Sequence, residues 1–348
     1  MAALLYFVTA AFCVAIASRS VVRISRAAAV VLLLLPLAFT GKALLTNRVY
    51  APIDLPYMVE PLRSLAPQYG VGEMHNGMVS DVYALNIPWK YAVRLAYSRG
   101  EWALWSPFNY AGEILAASAQ PTPYEPLFLV SLLLPMATSL TFLAAATFFL
   151  AGLLMFVFLR DLEFGEIASL TGAIAWSYAT FNVFWLEYVI TSTTIWFPLV
   201  LLGVRRVIRE RSWGAAGLLT FAFVMMLLNG HPESALHMVT AGLVWALVEF
   251  RLVRGRGFLR ASLLGTGAGV AALLLTAIYM LPILEALPQT SEHAHRETMY
   301  AHVRKSAPLP KAFEHLIWNF VPFRYGDPSV AGQWREMPFE FAGSAYCG

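Results

Sequence analysis

Apolar runs that approach the length of a bilayer-spanning helix recur along the whole chain. A transmembrane helix needs roughly 20 mainly apolar residues. The candidate spans lie at about 3–17, 27–46, 137–159, 166–184, 189–204, 213–229, 236–250 and 261–287. Only 13% of the residues are charged, whereas a soluble domain carries about 25%. The sequence therefore predicts an all-α fold, a polytopic transmembrane helix bundle of about eight spans.

Arginines are concentrated in alternate loops between these predicted spans. The four groups are Arg19, Arg23 and Arg26; Arg160; Arg205, Arg206, Arg209 and Arg211; and Arg251, Arg254, Arg256 and Arg260. Short loops that are rich in arginine and lysine stay in the cytoplasm. This pattern predicts that the four loops are cytoplasmic and that both termini lie outside. A cleaved signal peptide is the alternative for the first span, although that span lacks a positively charged start.

The predicted spans divide the chain into four parts. Two N-terminal spans (1–46) are followed by a large non-cytoplasmic loop (47–126), a transmembrane bundle (127–287) and a non-cytoplasmic tail (288–348). In the large loop, apolar residues recur at helical spacing over 81–99. This periodicity is typical of an amphipathic helix that lies on a membrane surface.

Asp81 stands at the beginning of this amphipathic stretch. Aspartate is a preferred N-cap residue, so its residue type alone favours a role in starting the helix. A carboxylate close to the bilayer surface is also suited to act as a general base or to hold a divalent ion. The sequence leaves both interpretations open.

Three further polar residues fall on the non-cytoplasmic side. His231 and Glu233 lie in the segment Asn229-Gly-His-Pro-Glu233, between the sixth and seventh predicted spans. They either form a polar turn that starts the next helix or belong to a site that faces Asp81. Glu187 lies in a very short loop, where it is either solvated or directed toward the same cavity.

Lys90 and Arg94 are cations on the amphipathic stretch. They contact either ordinary lipid headgroups or the phosphate of a lipid-linked substrate. The chain contains no Gly-x-x-x-x-Gly-Lys-Ser/Thr loop, so ATP-driven transport by this chain alone is not indicated. Nothing in the sequence indicates a nucleic-acid binder or a protein partner. Charged residues within the predicted spans are few, and Glu285 is the main one.

Several short motifs follow one another in a fixed order along the chain. They are Ser80-Asp81, Pro88-Trp89, Leu104-Trp105-Ser-Pro, Gly112, Tyr124-Glu-Pro126 and Asn229-Gly-His-Pro-Glu233. In order and spacing, this set resembles the bacterial YfhO-like membrane proteins, over most of the chain from about residue 47. The family is typically longer, so the resemblance implies that a further span follows residue 348.

The YfhO-like family itself resembles the type C (GT-C) glycosyltransferases. That resemblance implies transfer of a sugar from a polyprenyl-linked donor at the outer face of a bacterial inner membrane. It implies that Asp81 is the essential acidic residue, with Asp54 a weaker candidate, and that a divalent ion, Mg²⁺ or Mn²⁺, is held at Asp81. The implied partners are membrane lipids and the lipid-linked sugar. The alternative is a non-enzymatic transporter or a lipid or cell-envelope scaffold.

Overall fold

A computed structural model describes residues 1–46, 48–72, 77–108, 111–291, 293–295 and 298. These residues form helices and loops, with one isolated antiparallel bridge between Ser106 and Glu113. The all-α prediction is therefore confirmed for the described part of the chain. Most of the predicted tail 288–348 lies outside the described residues.

Contacts divide the chain into two compact units. The first consists of Met1–Tyr50, Thr122–Tyr178 and Leu186–Met280. The second consists of Ala51–Pro121, Ala179–Trp185 and the described residues from Leu281 onward. In chain order, the α-helices are α1 (Ala2–Ser20), α2 (Arg26–Leu34), α3 (Leu37–Leu44), α4 (Ile87–Ser98), α5 (Pro126–Ser131), α6 (Met136–Asp161), α7 (Glu166–Ser177), α8 (Thr180–Phe184), α9 (Val189–Thr194), α10 (Phe197–Glu210), α11 (Trp213–Leu228), α12 (Pro232–Leu252), α13 (Phe258–Leu275) and α14 (Ala277–Ala286).

Four of these helices, α1, α6, α12 and α13, are long and apolar enough to cross a membrane. The pair α2 and α3 meets the same criteria when taken together, although it is bent by 62°. The fourth and fifth predicted spans are each interrupted, between α7 and α8 and between α9 and α10. The apolar helices indicate a membrane-spanning protein, but the predicted number of eight spans is not confirmed within the described residues.

The bend between α2 and α3 occurs at Pro36, which has no N–H to continue the first helix. Carbonyl groups released by such a break need partners, because hydrocarbon offers none. The hydroxyl of Tyr6 donates to the Leu33 carbonyl at 2.8 Å, and the hydroxyl of Tyr178 donates to the Leu35 carbonyl. Two tyrosines from other helices therefore stabilise the broken span.

Helix α6 is the core of the first unit. It packs against α1, α2, α3, α5, α7 and α10. Within its apolar window 83% of the residues are buried, against 17% in α12 and 22% in α13. An apolar helix that is exposed on most of its surface is suited to lipid rather than to water. The exposed apolar surfaces of α12 and α13 are therefore suited to face lipid, and we call these two helices the lipid-facing helices.

The arginine-bearing segments of the first unit meet at one end of the bundle. Arg206 on α10 donates to the Val21 carbonyl at 2.8 Å and pairs with Asp161, the last residue of α6, at 2.8 Å. Arg209 pairs with Glu249, near the end of α12, at 2.7 Å. We call this region, formed by Val21, 160–166, 205–211 and 249–257, the arginine end. The prediction that these loops share one side is confirmed, while their cytoplasmic location stays a prediction.

Two charged residues that the sequence analysis did not single out as charges within the spans are buried. Glu249 is fully buried on α12, Arg205 is also buried, and Glu285 is exposed. The interpretation of Glu285 as the main charge within the spans therefore overlooked Glu249, which is buried in a candidate span. Glu249 is on α12 and Arg205 belongs to the arginine cluster of α10. Their pairing across two helices is not visible in either segment of the sequence alone.

In the second unit, the amphipathic stretch is helical as predicted. One π-helical turn (Val82–Asn86) leads directly into α4. Val82, Trp89 and Val93, three members of the predicted apolar stripe, are buried. The position of α4 on a membrane surface stays a prediction.

Candidate functional site

Asp81 does not cap the helix that follows it. Its backbone is already helical (φ −61°, ψ −22°), and its side chain makes no capping hydrogen bond. A capping residue has extended backbone angles instead, because its side chain must fold back to the second or third amide. The predicted cap role is therefore wrong. The Asp81 side chain is exposed in the second unit.

Lys90 and Arg94 lie one turn apart on α4, and both are half-buried. Side chains at this spacing share one face of a helix. Burial lowers the pKa of the Arg94 guanidinium from its ordinary value. The two cations therefore present neighbouring positive charge on one surface of the second unit.

His231 caps α12 in the first unit. Its Nδ1 accepts a hydrogen bond from the Ser234 backbone N–H at 3.1 Å and lies 2.7 Å from the Ser234 hydroxyl. Because Nδ1 is an acceptor, the proton of the neutral ring is on Nε2. Burial lowers the pKa of His231, which favours this neutral form. The ring therefore combines a helix cap on one side with an N–H donor on the other.

The segment around His231 matches the polar-turn interpretation of the sequence. Pro232 occupies the first turn of α12, and Glu233 adds a negative charge there, where the helix dipole favours it. The Glu233 side chain is exposed. The sequence missed the cap itself, because histidine is not among the preferred N-cap types.

Glu187 is half-buried rather than simply solvated. Burial raises the pKa of its carboxyl from the ordinary value to about 8. The pKa of Tyr50 is raised to about 12, first by burial and then by the charge of Glu187. The backbone N–H of Tyr50 donates to the Thr141 hydroxyl near the start of α6 at 2.9 Å. Tyr50, which the sequence did not single out, is thus an electrostatic neighbour of Glu187.

Three buried polar atoms follow Glu187 along the chain. They are Thr191 Oγ1, Thr193 Oγ1 and Trp196 Nε1, and none has a hydrogen-bond partner among the described residues. A buried polar group without a partner costs roughly 1–3 kcal/mol. Such groups are few in native proteins and indicate a place for water or a polar ligand. The run of hydroxyl residues inside an apolar span is the sequence signal that could have revealed them.

These groups lie at the end of the first unit opposite the arginines. Helix α9, which carries both threonines, packs against α11 and α12, the two helices joined by the turn at His231. Along α12, His231 and Glu249 are separated by about 27 Å at the rise of an α-helix. We call the region formed by Tyr50, Glu187, Thr191, Thr193 and His231 the polar end.

The six candidate residues fall into two sets. Glu187, His231 and Glu233 belong to the first unit, and Asp81, Lys90 and Arg94 belong to the second. Within the first unit, the helices bring Glu187 and His231 to the same end. The prediction that Asp81, Glu187, His231 and Glu233 meet over one cavity stays a prediction.

A divalent ion at Asp81 needs further ligands. Magnesium is commonly held by one or two carboxylates together with waters and substrate phosphates. Asp81 supplies one exposed carboxylate, and the described residues contain no group of three or more His, Cys, Asp or Glu side chains suited to a metal. The described part of the chain therefore does not form a complete protein-only site, and the ion stays a prediction.

Several motif residues that carry the family resemblance have structural roles. Trp89 on α4 donates from Nε1 to the Glu113 carboxylate at 2.8 Å. Gly112 has a φ of 121°, and a Cβ there would lie 2.1 Å from the ring of Trp105. Glu125 caps α5 by accepting from the Leu127 amide at 2.9 Å. These motifs therefore help to shape the loops that follow the membrane helices.

Comparison of the chain with models of known families, with curated proteins and with solved structures finds no match. The resemblance to the YfhO-like family stays a prediction that rests on the order of short motifs. A function must accordingly be argued from the polar residues themselves.

Proposed function

We propose that the chain is a membrane glycosyltransferase of the GT-C type that uses a polyprenyl-linked sugar donor. In this proposal the reaction takes place outside a bacterial inner membrane, and both termini are outside. The observation that carries the proposal is the set of buried polar atoms of Thr191, Thr193 and Trp196, which follow Glu187 in the chain and have no hydrogen-bond partner among the described residues. A sugar offers many hydroxyl groups, so it is suited to supply the missing hydrogen-bond partners.

Inverting transfer requires a base at the acceptor. In the proposed step, the Asp81 carboxylate removes the proton of the acceptor hydroxyl, and the acceptor oxygen bonds to the anomeric carbon. The bond from that carbon to the lipid phosphate breaks, and its electron pair stays on the phosphate. Asp81 is assigned this role by the resemblance and by its exposed carboxylate, which is not engaged as a cap.

The remaining residues bind the donor in this proposal. A carboxyl with a pKa of about 8 is mostly protonated at neutral pH, so Glu187 is able to donate a hydrogen bond to a sugar or phosphate oxygen. His231 offers its Nε2–H in the same way, and Glu233 lines the entrance. Lys90 and Arg94, one turn apart on α4, neutralise the departing lipid phosphate.

The test is transfer in proteoliposomes from a radiolabelled lipid-linked sugar to membrane acceptors. Asp81→Asn is expected to reduce transfer by about 10²–10⁴-fold, the usual contribution of a general base. Its melting temperature should be unchanged, because Asp81 makes no capping hydrogen bond. Asp54→Asn is the matched variant, and it should keep most of the activity. Full transfer by Asp81→Asn would overturn the assignment.

A non-enzymatic transporter or lipid scaffold is the second candidate, because the helices are interrupted. The pair α2 and α3 is bent by 62°, and α9 and α10 are broken beside the unpartnered threonines. Discontinuous helices form substrate sites in many transporters. The same proteoliposomes separate the two functions: redistribution of intact labelled lipid between leaflets, with no sugar transferred, would favour transport.

A further inference from the structure

An apolar cavity of about 220 Å³ lies among α10, α11, α12 and α13 in the first unit. Its wall on α10 runs from Val200 to Ile208, which is about 12 Å at the rise of an α-helix. Leu243 on α12 and Thr266 on α13 also line it, and both side chains are exposed. The cavity is therefore a groove that opens outward between the two lipid-facing helices.

One end of the groove borders a positively charged turn. Phe250 and Ala261, which both line the groove, flank residues 251–260. This turn carries four exposed arginines, namely Arg251, Arg254, Arg256 and Arg260. We call residues 251–260 the arginine turn.

The arginines of the arginine turn differ from those of α10 in their ion pairs. The ion pairs between described residues engage Arg205, Arg206 and Arg209 with carboxylates, but none of the four arginines of the turn. A fifth guanidinium is close by, because Arg211 Nη1 would lie 2.2 Å from a Cβ at Gly257. Among the described residues, the turn therefore carries positive charge that no ion pair compensates, beside an apolar groove.

We propose that the groove binds an acyl chain of an anionic phospholipid whose phosphate contacts the arginine turn. The apolar lining matches hydrocarbon, and the uncompensated guanidinium groups match a phosphate that carries net negative charge. The acyl chain of a zwitterionic lipid fills the groove equally well, but its headgroup has no net charge and is attracted less strongly by the guanidinium groups of the arginine turn. The arginine turn is at the opposite end of α12 from His231, so the proposed phosphate contact is separate from the proposed site of sugar transfer.

The groove can be filled without disturbing the helices. A Cβ at Gly265, which lines the groove on α13, would have no atom within 4 Å. Gly265→Leu therefore places a side chain in the space assigned to the lipid. Gly267 provides the control, because a Cβ there also has no atom within 4 Å, while the residue is exposed and does not line the groove.

The experiment is native mass spectrometry of the purified full chain after exposure to nanodiscs of phosphatidylglycerol or phosphatidylcholine with identical acyl chains. The wild-type protein is expected to retain phosphatidylglycerol in preference to phosphatidylcholine. Gly265→Leu should lose that retained lipid, and Gly267→Leu should keep it. Equal retention of phosphatidylglycerol by wild-type and Gly265→Leu protein would overturn the proposal.

A charge variant tests the same site without any change in packing. The double variant Arg256→Gln/Arg260→Gln should weaken the preference for phosphatidylglycerol by about five-fold for each arginine removed. Arg23→Gln/Arg26→Gln removes the same charge from a different arginine loop and should leave the preference intact. Equal losses in both double variants would show general attraction to the membrane surface and would overturn a specific site.

Two further outcomes assign the groove to something else. Inorganic phosphate at equal concentration should not displace the retained lipid, because it has no chain to fill the groove; displacement would mean that only the anion is bound. A dimer that is present in wild-type protein and absent in Gly265→Leu would assign the groove to a second copy of the chain.

Discussion

The carboxylate of Glu249, fully buried on α12, lies 3.0 Å from a guanidinium nitrogen of Arg205 on α10. Arg205 also contacts Asp161 at the end of α6, at 3.1 Å. These two contacts of Arg205 therefore connect α6, α10 and α12 at the end of the bundle where the arginine-bearing loops meet. The charges of Arg205, Glu249 and Asp161 are paired, whereas no ion pair between described residues engages the arginines of the arginine turn.

Loss of the Glu249 charge should destabilise the bundle strongly. Glu249→Gln leaves the buried Arg205 with a single carboxylate partner, and breaking a buried pair costs roughly 3–5 kcal/mol. Arg209→Gln is the comparison, because Arg209 is 40% exposed and pairs with the same carboxylate. It should cost no more than about 1 kcal/mol. Urea unfolding in detergent measures the free energy of unfolding of both variants. Similar losses of unfolding free energy in the two variants would contradict the buried position of Glu249.

Stability should fall as the pH rises because of Glu187. Its carboxyl pKa is raised from 4.5 to about 8 in the folded chain, so the folded state holds this proton more tightly than the unfolded state. The resulting stabilisation is complete below about pH 4.5 and is lost as the pH rises through about 8. Melting temperatures between pH 5 and pH 9 should therefore decline less in Glu187→Gln than in wild-type protein.

The exposed Glu163 supplies the control for this pH series. Glu163→Gln removes a carboxyl of the same type from the first unit. Its melting temperatures should follow the wild-type curve across the whole range. A Glu187→Gln curve that also follows the wild type would show that Glu187 is ordinarily solvated.

The two roles of His231, as the N-cap of α12 and as an N–H donor to the sugar donor, should be separable by substitution. His231→Asn keeps a good N-cap residue but removes the Nε2–H, so the melting temperature should be retained while the KM for the lipid-linked sugar rises. His231→Ala removes both functions and should also lose about 1 kcal/mol of stability. Thermal unfolding and transfer kinetics measure the two effects. An unchanged KM in His231→Asn would limit His231 to the cap.

Gly203 should be intolerant of even a methyl group. A Cβ at this position on α10 would lie 2.9 Å from the Leu219 Cα, so α10 and α11 would have to separate. Gly203→Ala is expected to lower stability by about 1–3 kcal/mol. Gly217→Ala, on α11 and with no atom within 4 Å of its Cβ, should be neutral or slightly stabilising. Equal effects of the two substitutions in thermal unfolding would contradict this close packing.

Interruptions of the membrane helices were only partly predictable. Pro36 is a visible reason for the bend between α2 and α3, yet the sequence at 27–46 was interpreted as a single span. The break is stabilised by hydroxyl groups of Tyr6 and Tyr178, which come from other helices. The local hydrophobicity of a segment contains no information about such partners, so the sequence predicts an apolar span at 27–46 but not its bend.

The sequence by itself determined the helical class, the common side of the arginine loops and the amphipathic character of 81–99. These properties follow from local composition and spacing, which each segment carries on its own. Only the tertiary structure decided that Glu249 is buried between arginines, that the pKa of Glu187 is raised, and that His231 caps α12 while Asp81 caps nothing. Burial, pairing and backbone angles depend on neighbours that are distant in the chain or on the path of the backbone, so residue type alone does not specify them.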